Sequence, residues 1–532
     1  MKERFKNYFV NLFVPSFVLG SVTGIITAVV ICFYKLCATY IIELSGKGYE
    51  LLRATPIWLA AVLPVLFLVA LCFAKIYRKN PDLSGGGIPT SVGALRGLLP
   101  VNGLKTLIGI FTMSITSFLI GVPLGNEGPS VQMGTAVGKC CVRSLAKKHW
   151  AWERYSMTGG ACAGFSVATG APISGVLFAV EEAHQRISPM LLTVSATSVM
   201  FAEMTAELLS SVLPIHTLIF PKMSLMSLTP RDCWLPIVIG VSVGVFAVLF
   251  LKYYHLIRHV IRRIKKKIPN VYLIFAVFAV TVILGLFSSS FISTGHDLML
   301  SLFDGGAAIH ILLIVLLVRA TVTLFASSVS ISGGLFVPIL ALGALFSSVI
   351  GQIMVSLFGV SSEYLTIILV LGITACISAM MKMPLTAIVF AVEALSCYGN
   401  VLYVVAVAVV SYIITEFFGV KSINDSVIEH RVENLHKGAE ATVSEAFITV
   451  NPGSFAVGKQ VRDIFWPSNL FILSIKYVTN DHVEVDERGG IAIRAGDVLH
   501  VRYSTYDSKE TLRELFAIVG EQEIDEIRVD RA

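Results

Sequence analysis

Gly125-Asn126-Glu127-Gly128-Pro129 stands between two apolar runs, and Gly334-Leu335-Phe336-Val337-Pro338 repeats its frame 209 residues later, with Gly134 and Gly343 completing G-x-x-x-P-x-x-x-x-G in both places. Each frame predicts a helix start, because a proline in the first helical turn gives up an N–H that has no intrahelical partner there. A second pair agrees at nearly the same offset. Phe165-Ser166-Val167-Ala168-Thr169-Gly170-Ala171-Pro172, running on to Glu181, matches Ile377-Ser378-Ala379-Met380-Met381-Lys382-Met383-Pro384, running on to Glu393, 212 residues away. Two matches at one offset divide the chain into two halves of about 210 residues. Paired broken helices in corresponding halves point to a transport site near the middle of a membrane.

Charge supports a membrane body with a soluble tail. Of 532 residues 14% are charged, against roughly 25% in soluble globular proteins. Residues 441–532 hold 25 of the 76 charges, 10 basic and 15 acidic, so the first 440 residues are sparsely charged and net basic. Charge-free runs at 7–34, 54–74, 106–126, 155–180, 233–251, 268–296, 320–362, 364–381 and 394–415 supply spanning and half-spanning helices. The run 320–362 exceeds one crossing and is cut by Ser332-Gly333-Gly334 and Pro338. Such breaks are tolerated at membrane depth only where backbone is buried in protein or lines a cavity.

The basic start, Met1 to Phe9, precedes a run from Asn7 to Tyr34 that is too long for a signal-peptide core, so it reads as a retained first helix. Basic stretches at 75–79, 139–154 and 252–267 are expected in the cytoplasm, with both termini on that side of a plasma (inner) membrane crossed many times. Nine cysteines, none in the tail and none in a C-x-x-C, argue against a disulfide framework or a metal site. An enzyme is not expected, because no His/Cys/carboxylate cluster stands out and His296 and His310 are isolated; nucleic acid is not an expected partner, and no TVGYG-like potassium filter is present.

Ser84-Gly85-Gly86-Gly87-Ile88-Pro89 is a third glycine-to-proline helix start. Each start offers unpaired backbone N–H groups and about half a positive charge. Three of them meeting would hold an anion without a lysine or arginine, with Gly86, Gly87, Ile88, Asn126, Glu127, Gly128, Leu335 and Phe336 as the candidate residues. The plain alternative is that such pairs only end helices at loops. Glu127 is the outlier, since a carboxylate at membrane depth is costly and functional by default. It suits the same N–H groups as the anion, so the two would compete; an N-terminal cap at the interface is the other reading. Further along, Glu181 and Glu182 close an apolar helix. Glu181 has the counterpart Glu393, whereas Glu182 aligns with Ala394, so Glu181 reads as structural and Glu182 as a candidate proton relay, with a solvated helix-end acid as its alternative.

These residues resemble the CLC family of chloride channels and chloride/proton antiporters, across 10–435. GGGIP at 85–89 is similar to the family's GSGIP, GNEGP at 125–129 to its GREGP, and GGLFVP at 333–338 to its GxFxP. The resemblance implies an all-α polytopic fold over 1–437, made of two inverted-topology repeats of broken, tilted helices (roughly 10–210 and 231–425). It also implies a homodimer in membrane lipid with one pathway per subunit for an inorganic anion and protons. Glu127 would be the external gate, Glu182 the internal proton-transfer residue, and the Leu335 and Phe336 amides would touch the anion. The implied activity is secondary active chloride/proton antiport, with a passive chloride or fluoride channel of the same fold as the alternative. Three positions depart from the family. Gly86 replaces its central serine, Asn424 stands where its tyrosine is expected, and Asn126 replaces an arginine; Asn424 could still offer its amide to the anion.

The tail, 438–532, alternates in strand-like runs at Leu470–Tyr477 and Ile491–Ile493 and ends in a helical stretch, Ser508–Ile518, which predicts a small α/β cytoplasmic domain. Gly458-Lys459-Gln460-Val461-Arg462-Asp463-Ile464 followed by Ala495-Gly496-Asp497-Val498-Leu499 resembles the C-terminal subdomain of RCK/TrkA proteins. That resemblance implies a dimeric regulatory module, with a cyclic dinucleotide such as cyclic di-AMP near Val461 and Arg462 as the expected ligand; no other cofactor is expected. Dimerisation alone is the alternative.

Overall fold

The computed structural model describes residues 13–145, 150–215, 218–221, 225–305, 307–438, 441–477, 482–484, 489–522 and 527–528. The basic start and Lys147 and Lys148 lie outside them. In the first half the helices are α1 (Val14–Ala54), α2 (Leu59–Lys79), α3 (Ile88–Leu95), α4 (Leu104–Ile120), α5 (Glu127–Leu145), α6 (Glu153–Thr169), α7 (Pro172–Phe178, continued by a π turn over Ala179–Ala183) and α8 (Pro189–Ser210). The second half repeats the order as α9 (Trp234–Lys265), α10 (Asn270–Phe287), α11 (His296–Asp304), α12 (Ile309–Val329), α13 (Phe336–Phe358), α14 (Leu365–Met381), α15 (Pro384–Glu393) and α16 (Val401–Phe417).

Among the described residues, eight helical stretches are long and apolar enough to cross a membrane. The short ones match between halves: α3 has eight residues and α11 nine, α7 seven and α15 ten. A crossing needs about 20, so these four reach only part of the way and leave helix ends inside. The first helix runs to Ala54, well past the Tyr34 at which its charge-free stretch stops. Two of its later basic residues have these partners: Lys35 Nζ donates to the Val167 and Ala168 carbonyls at the end of α6, and Lys47 pairs with Glu43 one turn away.

Reciprocal contacts relate the halves. Gly125 N donates to Gly334 O and Gly334 N to Gly125 O, both at 2.7 Å. Glu181 accepts from Leu385 N, Thr386 N and Thr386 Oγ1 at 2.7–2.9 Å, and Glu393 accepts from Ile173 N, Ser174 N and Ser174 Oγ over the same range. Contacts in which i meets j′ and j meets i′ are the mark of a two-fold relation. Each carboxylate satisfies N–H groups in the first turn of the other half's short helix, where no intrahelical acceptor exists.

Small residues hold α5 against α6. A Cβ on Gly134 would lie 2.0 Å from Gly160 O, so the two backbones touch and α5 is fixed as a rigid mount for Glu127 at its start. In the sequence, Gly134 closes the same frame that Gly125 opens.

After α16, α17 (Ile423–Leu435) leads out of the helical body and strands begin. The tail holds β1 (Thr442–Thr449), β2 (Leu470–Lys476), β3 (His482–Glu484), β4 (Val498–Thr505), α18 (Ser508–Val519) and β5 (Ile527–Arg528), in one sheet of order β3-β2-β4-β1-β5 whose pairs are all antiparallel. Ile491–Ile493, expected as a strand, instead pairs with the loop at 458–461, through an isolated bridge at Gln460 and Ala492 and three backbone hydrogen bonds, Gly458 N to Ile493 O, Ile493 N to Lys459 O and Val461 N to Ile491 O. Ile448, Leu499, Val501, Tyr503 and Leu515 form the tail's core.

The tail docks on the body around Phe465, with Phe455 against Trp152 and Tyr155 beside it. Phe465 stacks on Tyr155 at 4.2 Å and on His184 at 4.1 Å, and the Arg186 guanidinium lies 4.5 Å from its centre. Arg154 donates to Trp466 O and Arg186 to Ile464 O, while the Tyr155 hydroxyl donates to Asp463 O. Burial at this contact pushes the Asp463 carboxyl up from its usual range.

Candidate anion and proton site

Three glycine turns meet where the short helices end. The Gly85–Gly87 turn abuts Gly128, since a Cβ on Gly87 would lie 2.0 Å from Gly128 O; Gly128 in turn abuts Gly334, whose Cα would lie 2.6 Å from a Cβ on Gly128. Gly87 also has φ +39, a left-handed conformation that side chains disfavour. From this junction α3, α5 and α13 diverge, so their N-terminal ends face one small volume. Phe336, the first residue of α13, is buried edge-on between Phe165 (5.1 Å) of the first half and Phe390 (5.4 Å) of the second.

Glu127 is the first residue of α5 and 1% exposed. A Cβ on Gly125 would sit 2.5 Å from Glu127 Oε2, 3.3 Å from Val337 Cβ and 3.4 Å from Pro338 Cδ. The carboxylate therefore folds back over its own turn onto the first turn of α13. Its Oε2 has no hydrogen-bond partner among the described residues. An unpaired acceptor at a helix N-terminus occupies the position an inorganic anion would take.

Beside the turns opens a cavity of about 900 Å3 whose lining includes Gly85, Gly86, Ser330 and Leu335. Arg258, Arg262, Lys265 and Arg431 also line it. Arg431 donates to Ser84 O and Thr90 Oγ1, bracing the first glycine turn. Its guanidinium is thus engaged with protein oxygens and is not free at the turns. Sequence reading missed Arg431 because it lies on α17, a helix of mixed polarity beyond the second half, and nothing in its neighbours shows that it folds back onto residue 84.

Two further candidates stand differently from expectation. The Gly87 N–H is spent on Gly85 O at 3.0 Å, because the turn is tight enough to close on itself. Asn424 does not line the cavity; its Nδ2 donates to Glu182 Oε1 at 2.9 Å, with both residues buried. The remaining turn residues lie at the junction as expected: Ile88 begins α3 and is buried, Asn126 precedes α5 and its carbonyl accepts from Ser130 N, and Gly86 has only ordinary contacts around its Cα.

Glu182 sits in the π turn that ends α7, the kind of one-turn distortion that recurs at functional sites. Arg96, which sequence reading also missed, holds the backbone of that turn. It donates to Glu182 O at 2.7 Å, Ala183 O at 3.0 Å and Asp425 Oδ1 at 3.0 Å. In the tail Val461 is buried and its N–H donates to Ile491 O, while Arg462 is exposed and donates to Gln460 Oε1 at 2.8 Å.

The profile of the voltage gated chloride channel family matches residues 65–416. The chain belongs to the CLC family of voltage-gated chloride channels. A relative from Vibrio parahaemolyticus serotype O3:K6, named H(+)/Cl(-) exchange transporter ClcA, is 26% identical over 414 residues, which cover 76% of this chain and 86% of that one. Among solved structures, a slow cyanobacterial Cl-/H+ antiporter superposes with a TM-score of 0.70 at 24% identity, over 78% of this chain and 98% of that one. A CLC-type fluoride/proton antiporter does so with 0.63 at 18% identity, over 76% and 96%. Both likenesses establish the CLC fold. The family match ends at residue 416, so it leaves α17 and the tail uncovered.

Proposed function

We propose that this CLC protein is a secondary active transporter that exchanges chloride for protons across the plasma membrane. The observation that carries this reading is Glu127, a buried carboxylate with an unpaired oxygen lying across the first turn of α13 at the meeting of three glycine turns. Ionised, it fills the anion's place; protonated, it has no charge to hold it there, and the anion enters as the side chain leaves. Glu127 is the external gate, and Glu182, also buried, passes protons on the inner side. The names of the relative and of the first structural neighbour point to the same exchange.

Leu335 and Phe336 backbone amides, with Gly86 and Gly128, contact the anion, and the basic cavity gathers anions from the cytoplasm, where both chain termini lie. An arginine-lined mouth raises the local anion concentration without forming a trap at the turns themselves. With glycine at 86 the turn has no hydroxyl to favour one anion, so selectivity between chloride, nitrate and fluoride is loose. The protein works as a homodimer. Its tail regulates exchange through the Phe465 contact, two residues from Glu182, and cyclic di-AMP bound near Val461 and Arg462 is the ligand of that regulation.

The deciding experiment is flux from proteoliposomes with chloride and protons recorded together. Uphill proton movement driven by a chloride gradient is the expected result. Chloride movement without protons would make the protein a passive channel. Calorimetry with cyclic di-AMP on the full chain tests the tail ligand separately, and no heat of binding would remove it.

A further inference from the structure

We propose that Asn424 is a positioning residue for proton transfer, holding the Glu182 carboxylate in the orientation from which it exchanges its proton. The proposal rests on the exchanger reading above. Asn424 is the second residue of α17, and its Nδ2 reaches Glu182 Oε1 at 2.9 Å. The side chains are 2% and 4% exposed, so water does not readily replace that bond. Arg96 anchors the same turn only through backbone carbonyls, which fixes the main chain and leaves the carboxylate free to rotate. The amide supplies what Arg96 does not.

The chemistry of the amide suits this task. A guanidinium or ammonium at that distance would strongly favour one protonation state of a buried carboxylate. A carboxamide orients it with less bias, and it neither gains nor loses a proton itself. The arrangement is also local to one half. Glu182 aligns with Ala394 in the repeat, and α17 follows the second half only, so Asn424 reaches back from outside the symmetric frame. Asp425, the next residue, completes the anchorage by receiving Arg96. Two adjacent residues of one helix therefore hold the side chain and, through Arg96, the backbone of the proton residue. The pair thus lies on the helix that joins the body to the tail.

The test uses full-length protein in proteoliposomes with chloride and proton fluxes recorded together. The readout is their ratio, because general damage lowers both fluxes in parallel. Asn424→Leu keeps the size and removes the donor, and the protons moved per chloride should fall on the order of tenfold. Asn424→Gln, which keeps the amide, should restore more than half of the ratio. Should the leucine variant fail to fold, Asn424→Ser, whose hydroxyl is too short to reach Glu182, carries the same expectation. An unchanged ratio in Asn424→Leu or Asn424→Ser would overturn the proposal, as would parallel loss of both fluxes that Asn424→Gln does not repair. If the unmodified protein moves chloride without protons, the exchanger reading itself fails, a result distinct from a coupled protein indifferent to residue 424.

Discussion

The two halves of this molecule are alike where they build the frame and unlike where they carry charge. Glu181 and Glu393 cap each other's short helices with the same three donors, and Gly125 and Gly334 exchange the same pair of hydrogen bonds. At two buried acidic positions the correspondence fails. Glu127 faces Phe336 in the repeat frame, and Glu182 faces Ala394. Both unmatched glutamates are buried, at 1% and 4% exposure, whereas the matched pair is only half-buried and fully hydrogen-bonded. Symmetry accounts for the scaffold, and its local loss marks the path proposed for protons.

The strongest way to test this contrast is to neutralise the unmatched acids. Glu127→Gln is expected to abolish proton flux while anion flux persists, because an amide neither carries a proton nor competes as a charge for the turns. Glu182→Gln should also bring proton movement to background. Uphill proton movement retained by either variant would strike that residue from the pathway. The matched acids should behave oppositely. Glu181→Ala and Glu393→Ala each strand three donors at a helix start and should cost about 1.5–3 kcal/mol of stability, read by thermal unfolding in detergent. Neither should change the proton-to-chloride ratio, and a matched variant that uncouples the two ions would dissolve the distinction.

A smaller effect is expected at the first glycine turn. A Cβ on Gly86 would lie 3.6 Å from Gly333 O, an ordinary contact, so Gly86→Ser should fold normally. The new hydroxyl should shift the chloride-to-nitrate preference about fivefold, the worth of one modest hydrogen bond. Unchanged selectivity across an anion panel would mean that this turn does not face the anion.

The smallest predicted effect lies at the tail. Burial raises the Asp463 carboxyl, with Ser188, Arg462 and Arg186 opposing the shift, so the docked state penalises its ionised form. Docking should then tighten as pH falls through the raised value towards the ordinary carboxyl range near 4. Lys459, whose amine burial pushes down to about 8, favours docking in the opposite direction, but only as pH rises past 8. Hydrogen-exchange protection of residues 454–468 should therefore increase as pH is lowered towards about 4, and Asp463→Asn should flatten that dependence. Identical profiles for the two proteins would dismiss the carboxyl as the cause.

Much of this contrast is legible in the sequence. The repeat at 209 and 212 residues identifies the broken helices, because a helix interrupted at membrane depth needs glycine and proline at particular places, and these leave a written pattern. It also separates Glu181 from Glu182. Other features are not legible there. The first helix extends 20 residues past its charge-free run, and Lys35, where the run stops, reaches the carbonyls that end α6, a partner 132 residues away in sequence. In the tail, Ile491–Ile493 has the composition of a strand, yet it pairs with the loop at 458–461.

The sequence by itself determined which residues could serve: the glycine-proline helix starts, the unmatched glutamates, the membrane body and its charged tail. Those choices are local, set by backbone freedom, helix-end chemistry and the cost of charge in an apolar run. Tertiary structure alone decided who meets whom. It sent the Asn424 amide to Glu182 and away from the anion turns, set Arg431 beside Gly85, and seated Phe465 beneath the proton turn. Each of these contacts joins residues separated by more than 200 positions, and the direction of a side chain over such a separation depends on helix packing, which no local pattern encodes.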